Sequence, residues 1–249
     1  MGESLVWSKL RQSLEENGLL GTFEKALGAP VRFLRDRIEA SHFRSMPPSE
    51  FDLRHGVDTS NPVFLRDLHI SSKNLVHSGV YWPCPVDAFQ GAMHSLPIDF
   101  SQFIFVDYGS GKGKAILMAS EFPFRRIVGI DFSRELNEVA RANILKYKSD
   151  TQRCRHIDVV EGDFAEFPLP PENTIVFMYD PCDESLMKQI LAAMEASLAR
   201  HPRQVYVIYK TARFARLFAA SPYFSTFAID DKFSIYKSTA AAPLPMPSS

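Results

Sequence analysis

The chain has 249 residues, enough for one large α/β domain with an appendage and too few for two full enzymatic domains. It carries 28 Lys and Arg against 29 Asp and Glu, so its formal net charge of -1 argues against strong electrostatic binding of nucleic acid. Cys84, Cys154 and Cys182 form no CxxC pair and no zinc-type cluster, which predicts no metal site and a reducing compartment, the cytoplasm or alternatively the nucleus. Charged residues interrupt the first 20 positions, so we expect neither secretion nor insertion into a membrane.

The N-terminal part of the chain has the residue spacing of helices. Apolar residues recur every three or four positions over 4–43 with charges between them, which predicts two or three helices. Prolines and a glycine then crowd 46–62, which predicts a connector. We therefore expect a helical extension and linker over 1–62, a second domain over 63–239 and a disordered tail over 240–249. The N-terminal helices would offer a surface for a partner or for dimerisation.

Short apolar runs and helical stretches alternate after residue 100. Strands are predicted over 102–107, 126–131, 157–161, 174–179, 205–210, 223–229 and 232–237. Helices are predicted over 114–122, 134–147 and 184–198, with a short one after Pro85. Only two residues separate the last two strands, so that pair must be an antiparallel hairpin. The sequence thus predicts an α/β fold with a seven-stranded, mostly parallel sheet, an antiparallel C-terminal hairpin and a preceding helical extension.

A glycine-rich segment, VDYGSGKGK over 106–114, follows the first predicted strand of the sheet. Gly109, Gly111 and Gly113 would let the backbone approach a ligand closely and present amides to it, with Ser110 between the first two. A dinucleotide site needs GxGxxG, so the lysine at position 114 weakens that interpretation, and a P-loop, which needs a Gly-Lys-Ser/Thr end, does not fit this segment. A tight strand-to-helix turn without a ligand is the alternative.

Acidic residues follow the first three predicted strands. Asp107 could reach an amino group of a ligand, and Asp131 could accept hydrogen bonds from ribose hydroxyls. Asp163 could accept from the exocyclic amine of adenine while Phe132 or Phe164 packs on the ring. A helix N-cap is the alternative role for Asp131, and a turn is the alternative for Asp163. Together these residues predict a site for S-adenosylmethionine, an adenosine that carries an amino-acid-bearing sulfonium, with S-adenosylhomocysteine as the product.

The glycine loop, the acid after the second strand and the terminal hairpin resemble the class I methyltransferase fold over about residues 80–238. Within that fold, four segments resemble the non-SET histone lysine methyltransferases, the disruptor-of-telomeric-silencing family. These segments are Tyr81-Trp82-Pro83 with Phe89, the loop 105–113, 161–164 and 173–177. The resemblance implies that Tyr81 and Pro83 cover the bound cofactor, whereas an ordinary surface turn is the alternative.

The family's Asn-Asn-Phe motif falls on Tyr179-Asp180-Pro181 here, so Asp180 is the matching polar position. We hypothesise that Tyr179 and Asp180 orient the methyl acceptor and receive its proton through water, with a helix N-cap as the alternative role for Asp180. The resemblance implies methyl transfer to a protein lysine. A class I methyltransferase for a small metabolite or nucleic acid, and a non-catalytic module with this fold, are the two alternatives.

Overall fold

The computed structural model of the protein describes residues 47–64, residue 68, and residues 80–179, 182–230 and 232–239. The chain divides into two compact units, 1–47 and 48–249, and nearly all of the described residues belong to the second unit. The helices predicted over 4–43, the tail predicted over 240–249 and the candidate residue Asp180 lie outside the described residues.

Nine strands form two sheets. Their bounds are Val63–Phe64 (β1), Val80–Tyr81 (β2), Ile104–Tyr108 (β3), Arg126–Asp131 (β4), Ile157–Glu161 (β5), Thr174–Tyr179 (β6), Val205–Lys210 (β7), Phe224–Ile229 (β8) and Phe233–Ser238 (β9). The first two strands pair with each other, and the other seven form one sheet in the order β5-β4-β3-β6-β7-β9-β8. Strands β3 to β7 pair in parallel, whereas β9 is antiparallel to both β7 and β8. This order confirms the predicted class I methyltransferase fold with its C-terminal hairpin.

Six α-helices accompany these strands in the described part of the chain. Their bounds are Glu50–His55 (α1), Val86–His94 (α2), Lys114–Ala119 (α3), Arg134–Lys146 (α4), Glu184–Arg200 (α5) and Ala215–Ala220 (α6). The structure confirms the helices predicted after Pro85 and over 134–147 and 184–198, with ends that differ by at most two residues. Among the described residues, no helix has the length and apolar character needed to cross a bilayer.

Helix α3 ends earlier than the predicted range of 114–122. Pro123 has no N–H to donate to the carbonyl of Ala119, so the helix cannot continue through it. The carbonyl of Ser120 instead accepts hydrogen bonds from the amides of Arg153 and Cys154, at 2.8 and 2.9 Å. Amides of another segment therefore satisfy the backbone carbonyl that directly follows α3.

The prediction of a connector over 46–62 was wrong at α1. The Ser49 side chain caps this helix by accepting from the amide of Asp52, and Gly56 ends it in the left-handed region at φ 69°. The proline and glycine that suggested a connector mark the two ends of a short helix instead.

The central strands of the large sheet, β3, β4, β6 and β7, are buried on both faces. Phe105 and Phe177 belong to the apolar layer that packs with α2 and α3, and Val106 and Val176 belong to the layer that packs with α5. Because β3, β4, β6 and β7 are parallel, their C-terminal ends meet at one edge of the sheet, where ligands bind in open α/β folds. The candidate residues Asp107, Asp131 and Tyr179, each among the last two residues of its strand, lie at that edge.

Candidate active site

The glycine loop turns sharply between β3 and α3. Gly109, Gly111 and Gly113 all have positive φ, at 81°, 52° and 86°. The amides of Gly109 and Ser110 both donate to the carbonyl of Ile130, at 2.9 and 3.0 Å, which fixes the start of the loop on β4. The Gly113 amide donates to the Ser110 carbonyl at 2.8 Å and closes the turn. The loop is thus a defined structure held by its own backbone.

Asp131 is the group that joins the loop to the end of β4. One carboxylate oxygen accepts from the amide of Gly111 at 2.9 Å, and the other accepts from the amide of Ser133 at 2.9 Å. The side chain of Ser133 caps α4 by accepting from the amide of Leu136, so the helix-cap role does not fall to Asp131. Burial raises the pKa of Asp131 to about 6 in spite of the two hydrogen bonds. Each carboxylate oxygen keeps acceptor capacity for a further donor.

Asp107 lies beside Asp131 and is 2% exposed. Burial raises the pKa of Asp107 well above its ordinary value, and the charge of Asp131 raises it further. No described residue donates a hydrogen bond that would offset the free-energy cost of burying this carboxyl. The two carboxyls therefore form an acidic pair that a cationic or hydrogen-bond-donating ligand would stabilise.

Tyr81 packs directly on the glycine loop. A Cβ atom at Gly111 would lie 2.1 Å from Cδ2 of the Tyr81 ring, so only glycine permits this contact. The ring is 9% exposed, and its hydroxyl donates to the carbonyl of Thr59 at 2.9 Å. Pro83 follows at a half-buried position. Tyr81 is therefore buried against the glycine loop and is not part of a surface turn.

The predicted adenine-binding residues differ in burial. Phe164 is 2% exposed and stacks on Tyr108, with ring centroids 5.8 Å apart, so it belongs to the core. Phe132 contacts Phe164 at 6.1 Å and keeps part of its surface exposed. Asp163 accepts from the amide of Ala165 at 3.0 Å, the local bond typical of a turn. Of the two rings, Phe132 is the one with a face available to a ligand.

Tyr179 ends β6 at the same edge, beside Lys210 at the end of β7. The Lys210 ammonium lies 4.8 Å from the Tyr179 ring centroid and 5.7 Å from that of Phe233. Asp180 is not described, but α5 begins at Glu184 and is capped by Asp183, whose carboxylate accepts from an amide of the first turn. The cap of that helix is therefore Asp183, which removes the alternative role considered for Asp180.

Sequence reasoning missed a segment that we call the strap, residues 49–60. The side chain of Asn143 donates to the carbonyls of Asp58 and Lys112, at 2.8 and 2.9 Å, and accepts from the Asp58 amide at 2.9 Å. The Lys112 ammonium also pairs with the Asp58 carboxylate at 2.9 Å. These contacts join the strap to the glycine loop although the two segments are distant in sequence. No local sequence motif predicts them.

A buried carboxylate organises the strap internally. Asp52 is 4% exposed and accepts four hydrogen bonds, from the amides and hydroxyls of Thr59 and Ser60, at 2.5 to 2.9 Å. Because Thr59 also accepts from the Tyr81 hydroxyl, the strap fixes the ring that packs on the glycine loop.

No protein-family model and no curated protein sequence matches the chain. A predicted N6-adenine-specific DNA methylase from Listeria monocytogenes is similar in structure at 14% identity and a TM-score of 0.48, over 64% of this chain and 52% of that one. An RNA methyltransferase from Salinibacter ruber in complex with S-adenosyl-L-homocysteine is similar at 18% identity and a TM-score of 0.43, over 67% of this chain and 97% of that one. A putative RNA methyltransferase from Pyrococcus horikoshii is similar at 18% identity and a TM-score of 0.47, over 72% and 95%.

This chain thus spans about half the length of the Listeria protein. Sequence identities of 14–18% and TM-scores below 0.5 do not allow the methyl acceptors named for these three proteins to be assigned to this chain. The narrower resemblance to histone lysine methyltransferases stays a prediction.

Proposed function

We propose that the protein binds S-adenosylmethionine and catalyses methyl transfer. The observation that carries this proposal is the buried pair of Asp107 and Asp131 beneath a loop of three positive-φ glycines, at the C-terminal edge of a sheet with the class I strand order. The pair has no cation of the protein within salt-bridge distance among the described residues. A ligand with an ammonium group and a ribose diol would supply the missing donors.

The residues at this edge fit the parts of such a cofactor. Asp131, already oriented by two backbone amides, would accept from the ribose hydroxyls, and Asp107 would face the amino group. The exposed face of Phe132 would pack on the adenine, beside Asp163. When bound, the cofactor supplies a methyl group on a sulfonium, which an uncharged nucleophile displaces in line. The protein's task is then to align the acceptor and exclude water.

For the acceptor, we propose a lysine of a protein, on the basis of the resemblance to lysine methyltransferases. A lysine amine must lose its proton before it can attack, and a nearby like charge lowers the pKa of an approaching amine. The ammonium of Lys210, held over the Tyr179 ring at this edge, would exert that effect. Tyr179 and Asp180 would orient the amine and receive its proton through water.

Cofactor binding is tested by titrating S-adenosylhomocysteine into the parent protein and into Asp131→Ala, with calorimetry as the readout. We expect binding to the parent and a loss of at least about tenfold in affinity in the variant, because hydrogen bonds to a charged carboxylate are removed. Asp150→Ala is the matched control, since Asp150 is exposed and should bind like the parent. Equal affinity of all three proteins would refute the ribose role.

The acceptor class is tested by transfer of labelled methyl from S-adenosylmethionine into fractionated cell lysate. Label that protease releases, and that is absent with Asp131→Ala, would support a protein acceptor. Label in nucleic acid or in small solutes would replace the lysine proposal with the corresponding alternative. Cofactor binding without incorporation into any fraction would favour a non-catalytic module.

A further inference from the structure

The connection between β5 and β6 differs from the other connections between the parallel strands. Helices α3, α4 and α5 lie in the connections from β3 to β4, from β4 to β5 and from β6 to β7, as is usual in parallel sheets. Residues 162–173, all of which the structure describes, form neither a helix nor a strand. Three of these residues are prolines, which disfavour a helix. Phe164 and Leu169 of this connection belong to the apolar layer of α5, so no helix of the connection covers the sheet beside α5.

A cavity of about 410 Å³ lies between this connection and the C-terminal half of α5. Phe167 and Leu169 line it from the connection, and Ala193 and Met194 line it from the helix. The volume is in the range of small-molecule sites. A helix is about 10–12 Å wide with its side chains, so a single helical turn would fill the cavity. We therefore consider a small molecule, and not a helix of a partner protein, as its occupant.

Tyr108, the last residue of β3, lines this cavity, and its hydroxyl forms no hydrogen bond with any described residue. The side chain is 3% exposed, and its ring stacks on Phe164. By contrast, the hydroxyl of Ser197, which also lines the cavity, accepts a hydrogen bond from the Arg203 guanidinium at 3.0 Å. A buried hydroxyl without a partner is unfavourable, because nothing replaces its hydrogen bonds to water. Burial raises the pKa of Tyr108 above its ordinary value, so the hydroxyl stays protonated and can donate to a ligand.

The charges around the cavity favour an uncharged ligand. Arg200 and Glu166 both line it, are exposed and carry opposite charges, so neither sign of charge dominates. Arg200 donates to the carbonyl of Ala196 at 3.2 Å, and the negative end of the α5 dipole opposes an anion there. The rest of the lining is mainly apolar, and the Phe167 ring and the Met194 thioether both pack well on an aromatic group.

We propose that this cavity binds a small, uncharged aromatic molecule that accepts a hydrogen bond from the hydroxyl of Tyr108. The site is separate from the glycine loop. Because β6 and β7 are parallel, α5 returns the chain from the edge of the sheet that holds this loop to the opposite edge. The residues of α5 that line the cavity belong to its C-terminal half and so lie toward that opposite edge. The inference therefore does not depend on the proposed function.

The test compares two probes of similar size, 2-naphthol and 2-methylnaphthalene, of which only the first forms a hydrogen bond. Equilibrium dialysis against the full chain gives both affinities, with excess S-adenosylhomocysteine present so that the probes cannot report on the proposed cofactor site. We expect the ratio of the two affinities to fall about three- to tenfold in Tyr108→Phe, because one hydrogen bond between uncharged groups is lost. Tyr236→Phe is the matched control and should keep the ratio of the parent, since Tyr236 is another buried tyrosine that does not line the cavity.

A second pair of variants locates the bound probe. Ala193→Trp places an indole at the wall of the cavity and should weaken both probes by at least about tenfold. Ala192 is exposed at the next position of α5 but does not line the cavity, so Ala192→Trp should stay within about threefold of the parent. Equal affinities of the two tryptophan variants, an unchanged ratio in Tyr108→Phe, or no binding of either probe to the parent would each overturn the inference. The titration of S-adenosylhomocysteine described above tests the proposed function separately.

Discussion

The buried carboxyl of Asp131 makes the stability of the protein depend on pH in a way that one substitution can isolate. Its pKa is about 6 in the folded protein against an ordinary value of 3.8. A carboxyl whose pKa is raised by folding stabilises the fold below its ordinary pKa, and this contribution is lost as the pH rises through about 6. Asp131→Asn cannot titrate, so its stability relative to the parent should rise with pH.

The size of this change in unfolding free energy follows from the shift in the pKa of Asp131. About two pKa units correspond to about 3 kcal/mol over the whole titration, and about 1.4 kcal/mol of this falls between pH 5 and pH 8. The hydrogen bonds from the amides of Gly111 and Ser133 favour the ionised carboxylate and are already included in the pKa of about 6, so they add no separate pH dependence. The charge of Asp131 also raises the pKa of Asp107, so its removal adds to the effect with the same sign.

The assay is urea unfolding of the parent and of Asp131→Asn at pH 5 and pH 8 without ligand. The difference in unfolding free energy, variant minus parent, should increase by about 1.4 kcal/mol or more between the two pH values. A difference that stays constant within about 0.5 kcal/mol, or that falls, would show that the Asp131 carboxyl is ionised as easily in the folded as in the unfolded chain.

Three further substitutions test other contacts of the site. Gly111→Ala places a methyl group 2.1 Å from the Tyr81 ring at φ 52°, and should lower the unfolding free energy by more than about 1 kcal/mol and weaken S-adenosylhomocysteine binding; unchanged values would contradict the packing described. Asn143→Ala removes three hydrogen bonds, one buried and two part-buried, and should lower the unfolding free energy by about 2–4 kcal/mol, with loss of hydrogen-exchange protection at the Asp58 amide as the specific readout. Thr211 has φ 56°, so Thr211→Gly should raise the unfolding free energy by about 1 kcal/mol and the melting temperature with it; a lower melting temperature would refute strain there.

The large sheet was predictable because the apolar residues that indicate each strand lie within that strand. The apolar runs over 126–131, 174–179 and 205–210 have the predicted bounds in the structure, since each is buried by layers on both faces. The run over 157–161 also has its predicted bounds, although it is a half-buried edge strand. The glycine loop and Asp131 were also visible, because a loop that approaches a ligand needs particular residue types at fixed distances from a strand.

The strap was not predictable from the sequence, because its contacts join distant parts of the chain. Asp58 and Asn143 are 85 positions apart, and their two hydrogen bonds depend on a tertiary arrangement that periodicity does not encode.

The position of β9 has a consequence for the order in which the chain can fold. Although β9 follows β8 in sequence, it lies between β7 and β8 in the sheet. During synthesis, β7 therefore has an unpaired edge until the ribosome has released residues up to 238, and β8 has no neighbour to join before then. Such an exposed edge is a template for pairing with other chains, so a nascent chain stalled before Phe233 would be prone to aggregate even though the residues of the glycine loop and both acids had long been made.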